Sequence, residues 1–371
     1  MPTRYNKLMN VPTAALEALT QRLSKLATHY DMTGQWPRDS LEHLTRAGAW
    51  TWIIPAVYGG MGLEPVSQTW AYEAVASGCM SCLLILTQRD AACELIAAGE
   101  NLALREQLLP RLARHELLTS VGISQLTTSR QDGRPAMTAR KDGDGYVLSG
   151  CMPWVTGATQ CQIVVTGAVL PDGLQLLAVV PLDRPGVIID PPMQLAALQS
   201  ALTSEIHLKS VRIEPELLIR GPVEHVLATR SPIKPLVVAT AGIGLAGAMV
   251  RLMRPLAMKT TAALMESFDD LEARYEAVRE RLYGVAQSLS HEGAEVPKTQ
   301  IRVAVNDLLM RCAVGLMTFA KGSGFLRQMD AQRLVREAMF FLVWSAPDDV
   351  RAGTLAKFLE RPTPQPRSMD V

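Results

Sequence analysis

The apolar positions of residues 13–114 fall at steps of three and four, the period of helices that bury one face. Ala14, Ala15, Leu16, Leu19, Leu23 and Leu26 mark the first helix, and Asp39-Ser40 caps a second over 41–48. Further helices are predicted over 66–77, 82–98 and 103–113, with Pro110 interrupting the last. Between them, Tyr58-Gly59-Gly60-Met61-Gly62-Leu63 is a glycine-rich break that regular helix does not accept. Beyond Leu117 the period shortens to two. Strands are predicted over 118–124, 146–148, 154–156, 163–169, 174–180, 186–189 and 204–211, separated by turns such as Pro171-Asp172-Gly173 and Asp183-Arg184-Pro185-Gly186. From about Val223 the helical period returns. An Ala- and Gly-rich apolar helix over 235–253 meets Pro255, which should kink or end it. A second helix over 268–289 carries Leu271, Tyr275, Val278, Leu282 and Val285 on one face, and helices over 301–320 and 331–344 follow.

This order predicts an α+β architecture: an N-terminal helical domain (1–118), a central β-barrel or sandwich domain (119–222) and a C-terminal four-helix bundle (223–360). A Pro-rich tail (361–371), read as a surface strap or disordered, ends the chain. The 37 Lys and Arg balance 36 Asp and Glu, so charge gives no case for nucleic acid or an anionic membrane. The six cysteines do not form a disulfide framework. Cys79-Met80-Ser81-Cys82 stands alone, without a second pair, and is read as buried helical thiols; no metal site is expected. The first residues lack the apolar stretch of a signal peptide, and the apolar run 235–250 is too short to span a bilayer. A cytoplasmic protein with no membrane span is the expectation.

Candidate chemistry lies between Asp142 and Ala158. Asp142-Gly143 and Asp144-Gly145 are turn dipeptides, followed by the β-prone Tyr146-Val147-Leu148, a Ser149-Gly150 break and Trp154-Val155-Thr156. Residues two apart on a strand share a face. The Trp154 indole could therefore stack on a planar ligand while the Thr156 hydroxyl bonds its edge. The alternative is that both are ordinary packing residues of a strand.

The element order and four local motifs resemble the acyl-CoA dehydrogenase family over nearly the whole chain. Pro55-Ala56-Val57-Tyr58-Gly59-Gly60-Met61-Gly62-Leu63 is similar to that family's Pro-x-x-Tyr-Gly-Gly-x-Gly-Leu stretch. Gly145-Tyr146-Val147-Leu148-Ser149-Gly150 with Trp154-Val155-Thr156 resembles its Tyr-x-x-Asn-Gly … Trp-Ile-Thr segment. Gly322-Ser323-Gly324-Phe325 and Arg333-Leu334-Val335-Arg336-Glu337-Ala338 match its Gly-x-Gly-Tyr/Phe … Arg-Leu-x-Arg-Asp-Ala at the same spacing. The resemblance implies FAD, an acyl thioester carried on CoA or a carrier protein, and a homodimer or homotetramer. Family enzymes pass an α-proton to a glutamate and a β-hydride to the flavin. By position, Trp154 would lie against the isoalloxazine, Thr156 would bond near it, and Ser124 would stand for a flavin-binding Thr. Gly322 and Gly324 would admit a neighbouring subunit's cofactor, since glycine allows close backbone approach.

The departures bear on chemistry. The family's Gly-Ser-Asp after the first flavin strand is Ser129-Arg130-Gln131, and its Gly-x-Arg before the closing strand is Ala197-Leu198-Gln199. The Arg-x-x-Phe-Gly loop that holds the pyrophosphate is replaced by Met258-Lys259-Thr260-Thr261, so FAD is expected to bind weakly or not at all. Lys259 offers a point charge without the bidentate fork of an arginine. Where much of the family has its catalytic Glu, in Tyr-Glu-Gly-Thr, this chain reads Trp344-Ser345-Ala346-Pro347. A serine with no activating base does not take a proton at neutral pH. Asp348 or Asp349, which follow within a turn, could reach in to replace it, the alternative being that both are solvated loop acids. Arg89 and Arg130 could favour an anionic or strongly polar substrate group. The alternative for Arg89 is a surface pair with Asp90. Three functions follow: a thioester oxidoreductase with a relocated base or altered chemistry, an inactive partner in a hetero-oligomer with an active paralogue, and a flavin-dependent monooxygenase relative.

Overall fold

The computed structural model describes residues 10–126, 135–227, 233–289 and 296–360. Five helices open the chain: α1 (Thr13–Thr33), α2 (Arg38–Arg46), α3 (Pro65–Gly78), α4 (Met80–Ala97) and α5 (Leu102–Ala113). Pro65 supplies the first turn of α3, where a missing N–H costs nothing. Every residue of α3 from Val66 to Gly78 is buried. A helix shielded on all sides needs no polar face, and α3 has one layer of helices on either side, α1 and α6.

Eight strands follow: β1 (Thr119–Gly122), β2 (Met137–Asp142), β3 (Gly145–Val155), β4 (Ile163–Val169), β5 (Gln175–Pro181), β6 (Val187–Ile189), β7 (Ser204–Ile213) and β8 (Leu218–Val223). They form one sheet in the order β6-β7-β3-β2-β4-β5-β8, with β1 parallel to β4. The expected barrel or sandwich is thus a single sheet whose end strands, β6 and β8, are not joined. Its two faces pack separately. Leu148, Val164, Leu176, Ile206 and Val211 share one core, while Val121, Val165, Leu177 and Ile219 join Leu95, Ile96 and Leu109 of α4 and α5 in another. Val164 and Val165 show the period of two directly, one to each face.

The C-terminal helices are α6 (Val237–Ala257), α7 (Ala262–Ser288), α8 (Lys298–Ala320), α9 (Asp330–Phe340) and α10 (Asp348–Phe358). The expected four helices are present, with α10 added against α8, where Asn306 Nδ2 donates to Thr354 Oγ1 at 3.0 Å. Pro255 lies in the last turn of α6 and does not end it, since the helix runs on to Ala257. The estimate of a run too short for a membrane is therefore corrected: Lys234–Ala257 and Lys298–Phe325 are both long and apolar enough, but 72% and 50% of their apolar windows are buried inside the protein. Their apolarity serves the bundle core. Gly244 explains how α6 comes so near α3, since a Cβ there would lie 2.5 Å from the Ala76 Cβ.

A charged network joins α3 to α7 as well. Glu73 of α3 accepts from Arg279 Nε at 2.6 Å, Tyr283 Oη at 2.5 Å and Tyr275 Oη at 3.3 Å, all three donors on α7. The Arg279 guanidinium also lies 5.7 Å from the Trp70 ring centre. Burial, then the Glu73 charge, raises the pKa of both tyrosines and keeps them as donors.

Candidate functional site

Trp154 lies at the end of β3 and Thr156 in the turn just after it, and β3 is longer than expected. The two runs read as separate strands are one, with register shifts between Leu148 and Gly150 and between Met152 and Val155. The second shift turns Trp154 outward. Its indole is 51% exposed, while Val155 beside it is 0% exposed and Thr156 is 8% exposed. An indole left half in solvent on a sheet is an open platform for a flat ring. Among the described residues the Thr156 hydroxyl has no hydrogen-bond partner, although the residue is more than nine-tenths buried. Such a hydroxyl is one that a ligand edge can satisfy.

The chain then turns at Gly157, whose φ of 66° is left-handed and whose N–H donates to Ala201 at 2.8 Å. The segment that receives this bond is tied to both helical layers. Arg336 of α9 donates to the Ala196 carbonyl and, at 3.2 Å, to Asp31 of α1. The end of β3, the start of the chain and the last bundle helices therefore meet around one loop.

Ser124 opens a short 3-10 turn (Ser124–Leu126) after β1, beside β3. Gln125 locks that turn by donating to Gly122 at 2.9 Å, Thr166 at 2.9 Å and Gly167 at 3.1 Å. Gly322 and Gly324 lie in a second 3-10 turn (Lys321–Phe325) after α8. A Cβ at Gly322 would meet nothing within 4 Å, so a second body can approach it, whereas at Gly324 it would lie 2.9 Å from the Ala320 Cβ. Phe325 beside them is 78% exposed.

Ser345 occupies the link between α9 and α10 in the left-handed region, at φ 47°. Arg302 of α8 fixes that link, donating to the Phe341 carbonyl at 2.6 Å and the Trp344 carbonyl at 2.8 Å. Burial brings the Arg302 pKa down to about 10, which leaves it charged at neutral pH. Ser345 itself is exposed. The two candidate replacement acids point elsewhere: Asp348 is paired with Arg351 at 2.9 Å, and Asp349 accepts from Thr299. Both open α10, where acids complement the positive end of the helix dipole.

Arg89 requires a correction. It is 1% exposed, neither a surface pair nor a free cation for a substrate. Its guanidinium donates to Asp90 at 2.6 Å and to the carbonyls of Trp50 and Leu112, each at 2.8 Å. The arginine braces α4 against the chain around α2 and α5, and no N–H is directed at a ligand in that set. Arg130 lies outside the described residues. Lys259 is exposed just after α6.

The sheet also gathers donors that the sequence reading passed over. Cys151, Glu205 and His207 place one ligand atom each within 4.8 Å of one another. Glu205 and His207 alternate along β7, a spacing visible in the sequence. Cys151 joins them only through the β3–β7 register, which pairs it with His207.

One face of the mixed sheet packs on α4 and α5, the other buries its own apolar residues, and helical segments precede and follow it in the chain, which is the layout of an acyl-CoA dehydrogenase type of fold. Residues 11–116 match the family model described as acyl-CoA dehydrogenase, N-terminal domain. A probable acyl-CoA dehydrogenase of Bacillus subtilis is 24% identical over 352 residues, covering 90% of this chain and 92% of that protein. The solved butyryl-CoA dehydrogenase of Megasphaera elsdenii superposes with a TM-score of 0.82 at 17% identity, covering 97% of this chain and 99% of that one. A dibenzothiophene monooxygenase of a Paenibacillus species shares the fold at a TM-score of 0.78 and 16% identity, with coverage of 95% and 98%. The family model over the N-terminal residues, the relatives and the shared fold together support assignment to the acyl-CoA dehydrogenase family.

Proposed function

We propose that the protein is a flavin-binding oxidoreductase for acyl thioesters whose chemistry does not use a carboxylate base from the last helices. The observation that carries this reading is Ser345. At the position where much of the family has its glutamate stands an exposed hydroxyl in a left-handed link, and both neighbouring acids are engaged on the surface. Losing a positioned base costs roughly 10²–10⁴ in rate.

The residues at the end of β3 fit a flavin ring. Trp154 would cover one face of it, and the unbonded Thr156 hydroxyl would bond its edge; the flavin, when bound, supplies two-electron redox chemistry. The other end of FAD is less well served. The pyrophosphate would meet Lys259 in place of an arginine fork, and Gly322 would admit a cofactor from a second subunit. Weak FAD binding by a homodimer or homotetramer follows. A dissociation constant in the nanomolar range would count against it.

A second reading is a monooxygenase that uses reduced flavin and oxygen. It is favoured by the same missing base, since that chemistry draws no α-proton, and by the shared fold of the dibenzothiophene monooxygenase. In a third, the chain is an inactive subunit of a hetero-oligomer. Purified protein with added FAD separates them. Retained yellow colour supports either flavoenzyme, and colourless protein that copurifies with a paralogue at equal amounts supports the third. Oxygen-dependent product from reduced flavin, with no dependence on a thioester, would replace the first reading by the second.

A further inference from the structure

The outer face of β7 and β3 carries four potential metal donors that the flavin reading does not use. Cys151 Sγ lies 2.7 Å from Glu205 Oε1. His207 Nε2 is 3.3 Å from Glu205 Oε1 and 3.3 Å from Asp190 Oδ2. The side chains are held on three adjacent pieces of one sheet. Cys151 pairs with His207 across β3–β7, and the Asp190 N–H, just after β6, donates to the Glu205 carbonyl at 3.0 Å. Their neighbours Met152, Ile206 and Leu208 point to the opposite face and are buried in the sheet's core, which fixes the side-chain direction on β3 and β7.

The spacing suits a small tetrahedral ion. Nitrogen and oxygen ligands about 2.0 Å from zinc lie roughly 3.3 Å apart at tetrahedral angles, the separation His207 makes with each carboxylate. The thiol must open its hydrogen bond to about 3.5 Å to match a longer bond to sulfur, and the Asp190 carboxylate, which meets His207 but stands apart from the mutually close trio of Cys151, Glu205 and His207, must swing in to complete the set. We propose that Cys151, Glu205, His207 and Asp190 bind a divalent zinc-type cation. One thiolate, one imidazole and two carboxylates favour zinc or cobalt over magnesium or calcium, which prefer oxygen alone. The bound ion joins β3, β7 and the end of β6. Because β6 has only three residues and pairs with β7 alone, its edge of the sheet gains most from that link.

Cobalt(II) is the probe, titrated into the full-length protein after chelator treatment. The expected result is saturable binding of one ion with a thiolate-to-cobalt band in the near ultraviolet, displaced by zinc. C151S should lose that band, and H207A should weaken binding by at least about the 10–100-fold that loss of a supporting hydrogen bond costs a metal site. C161S, which alters the other partly exposed cysteine, should leave the band unchanged. Circular dichroism checks that each variant folds, and H207N replaces H207A if the latter does not. Absence of saturable binding, or a spectrum unaffected by both C151S and the His207 variant, would overturn the proposal. The readout is independent of flavin and thioester, so it stands or falls apart from the proposed function.

Discussion

Removing Glu73 tests how the N-terminal helices are joined to the bundle. The carboxylate is 4% exposed and receives three donors from α7, so Glu73→Ala strands the Arg279 guanidinium, whose side chain is 3% exposed. Its remaining acid, Glu276, is 3.7 Å away and 57% exposed, too well solvated to replace Glu73. Breaking a buried pair by removing one partner costs about 3–5 kcal/mol. Orphaning the Tyr275 and Tyr283 hydroxyls adds about 1–3 kcal/mol each where water cannot reach them. A loss of about 5 kcal/mol is therefore expected for Glu73→Ala, allowing for local relaxation. Replacing both charges, as Glu73→Leu with Arg279→Met, should cost clearly less than Glu73→Ala, because no charge is left unpaired. Urea unfolding followed by far-ultraviolet circular dichroism measures each variant. A loss below about 1 kcal/mol for Glu73→Ala would refute the reasoning, because that is the worth of an exposed pair.

Two further predictions concern the flavin and pH. Trp154→Ala should weaken FAD binding, followed by flavin fluorescence, while leaving the unfolding midpoint unchanged because the indole is half exposed; Thr156→Val should weaken it as well, and equal affinity in both variants would remove the β3 end from the cofactor site. His115 is stacked on Trp50 at 4.2 Å, and burial, then the Arg89 charge, lowers its pKa below the ordinary imidazole value. The unfolded chain takes up the proton first, so stability is full above about pH 6.5 and is lost as pH falls through that value towards the lower folded pKa. His115→Asn, which tolerates the φ of 56° at this position, should flatten the change between about pH 7.5 and 5.5, and an unaltered slope would show that other groups cause it.

Much of this fold is legible in the sequence because its periods are clean. β4 was readable as 163–169 because Val164 and Val165 alternate between two buried faces, and the long helices α7 and α8 because their apolar stripes repeat. β2 is missed because Arg140, Lys141 and Asp142 leave it with few apolar residues. β8 is missed because Gly221-Pro222 reads as a turn, although edge strands accept proline. Ser149-Gly150 reads as a break for a similar reason: a Cβ at Gly150 would lie 2.1 Å from the Ala136 carbonyl, so the glycine is there for close strand packing. The site is legible only in part. Trp154 and Thr156 carry a local pattern, but the burial of Arg89 and the meeting of Cys151 with His207 depend on contacts between distant segments.

The central claim concerns the base, and anaerobic mixing of FAD-loaded protein with an acyl-CoA tests it most directly. The account predicts that wild-type flavin absorbance stays nearly constant on mixing, and that Ser345→Glu speeds its bleaching by roughly 10²–10⁴. Rapid bleaching by the wild-type protein that Asp348→Asn or Asp349→Asn slows would contradict it by showing that a carboxylate of the last helices is the base.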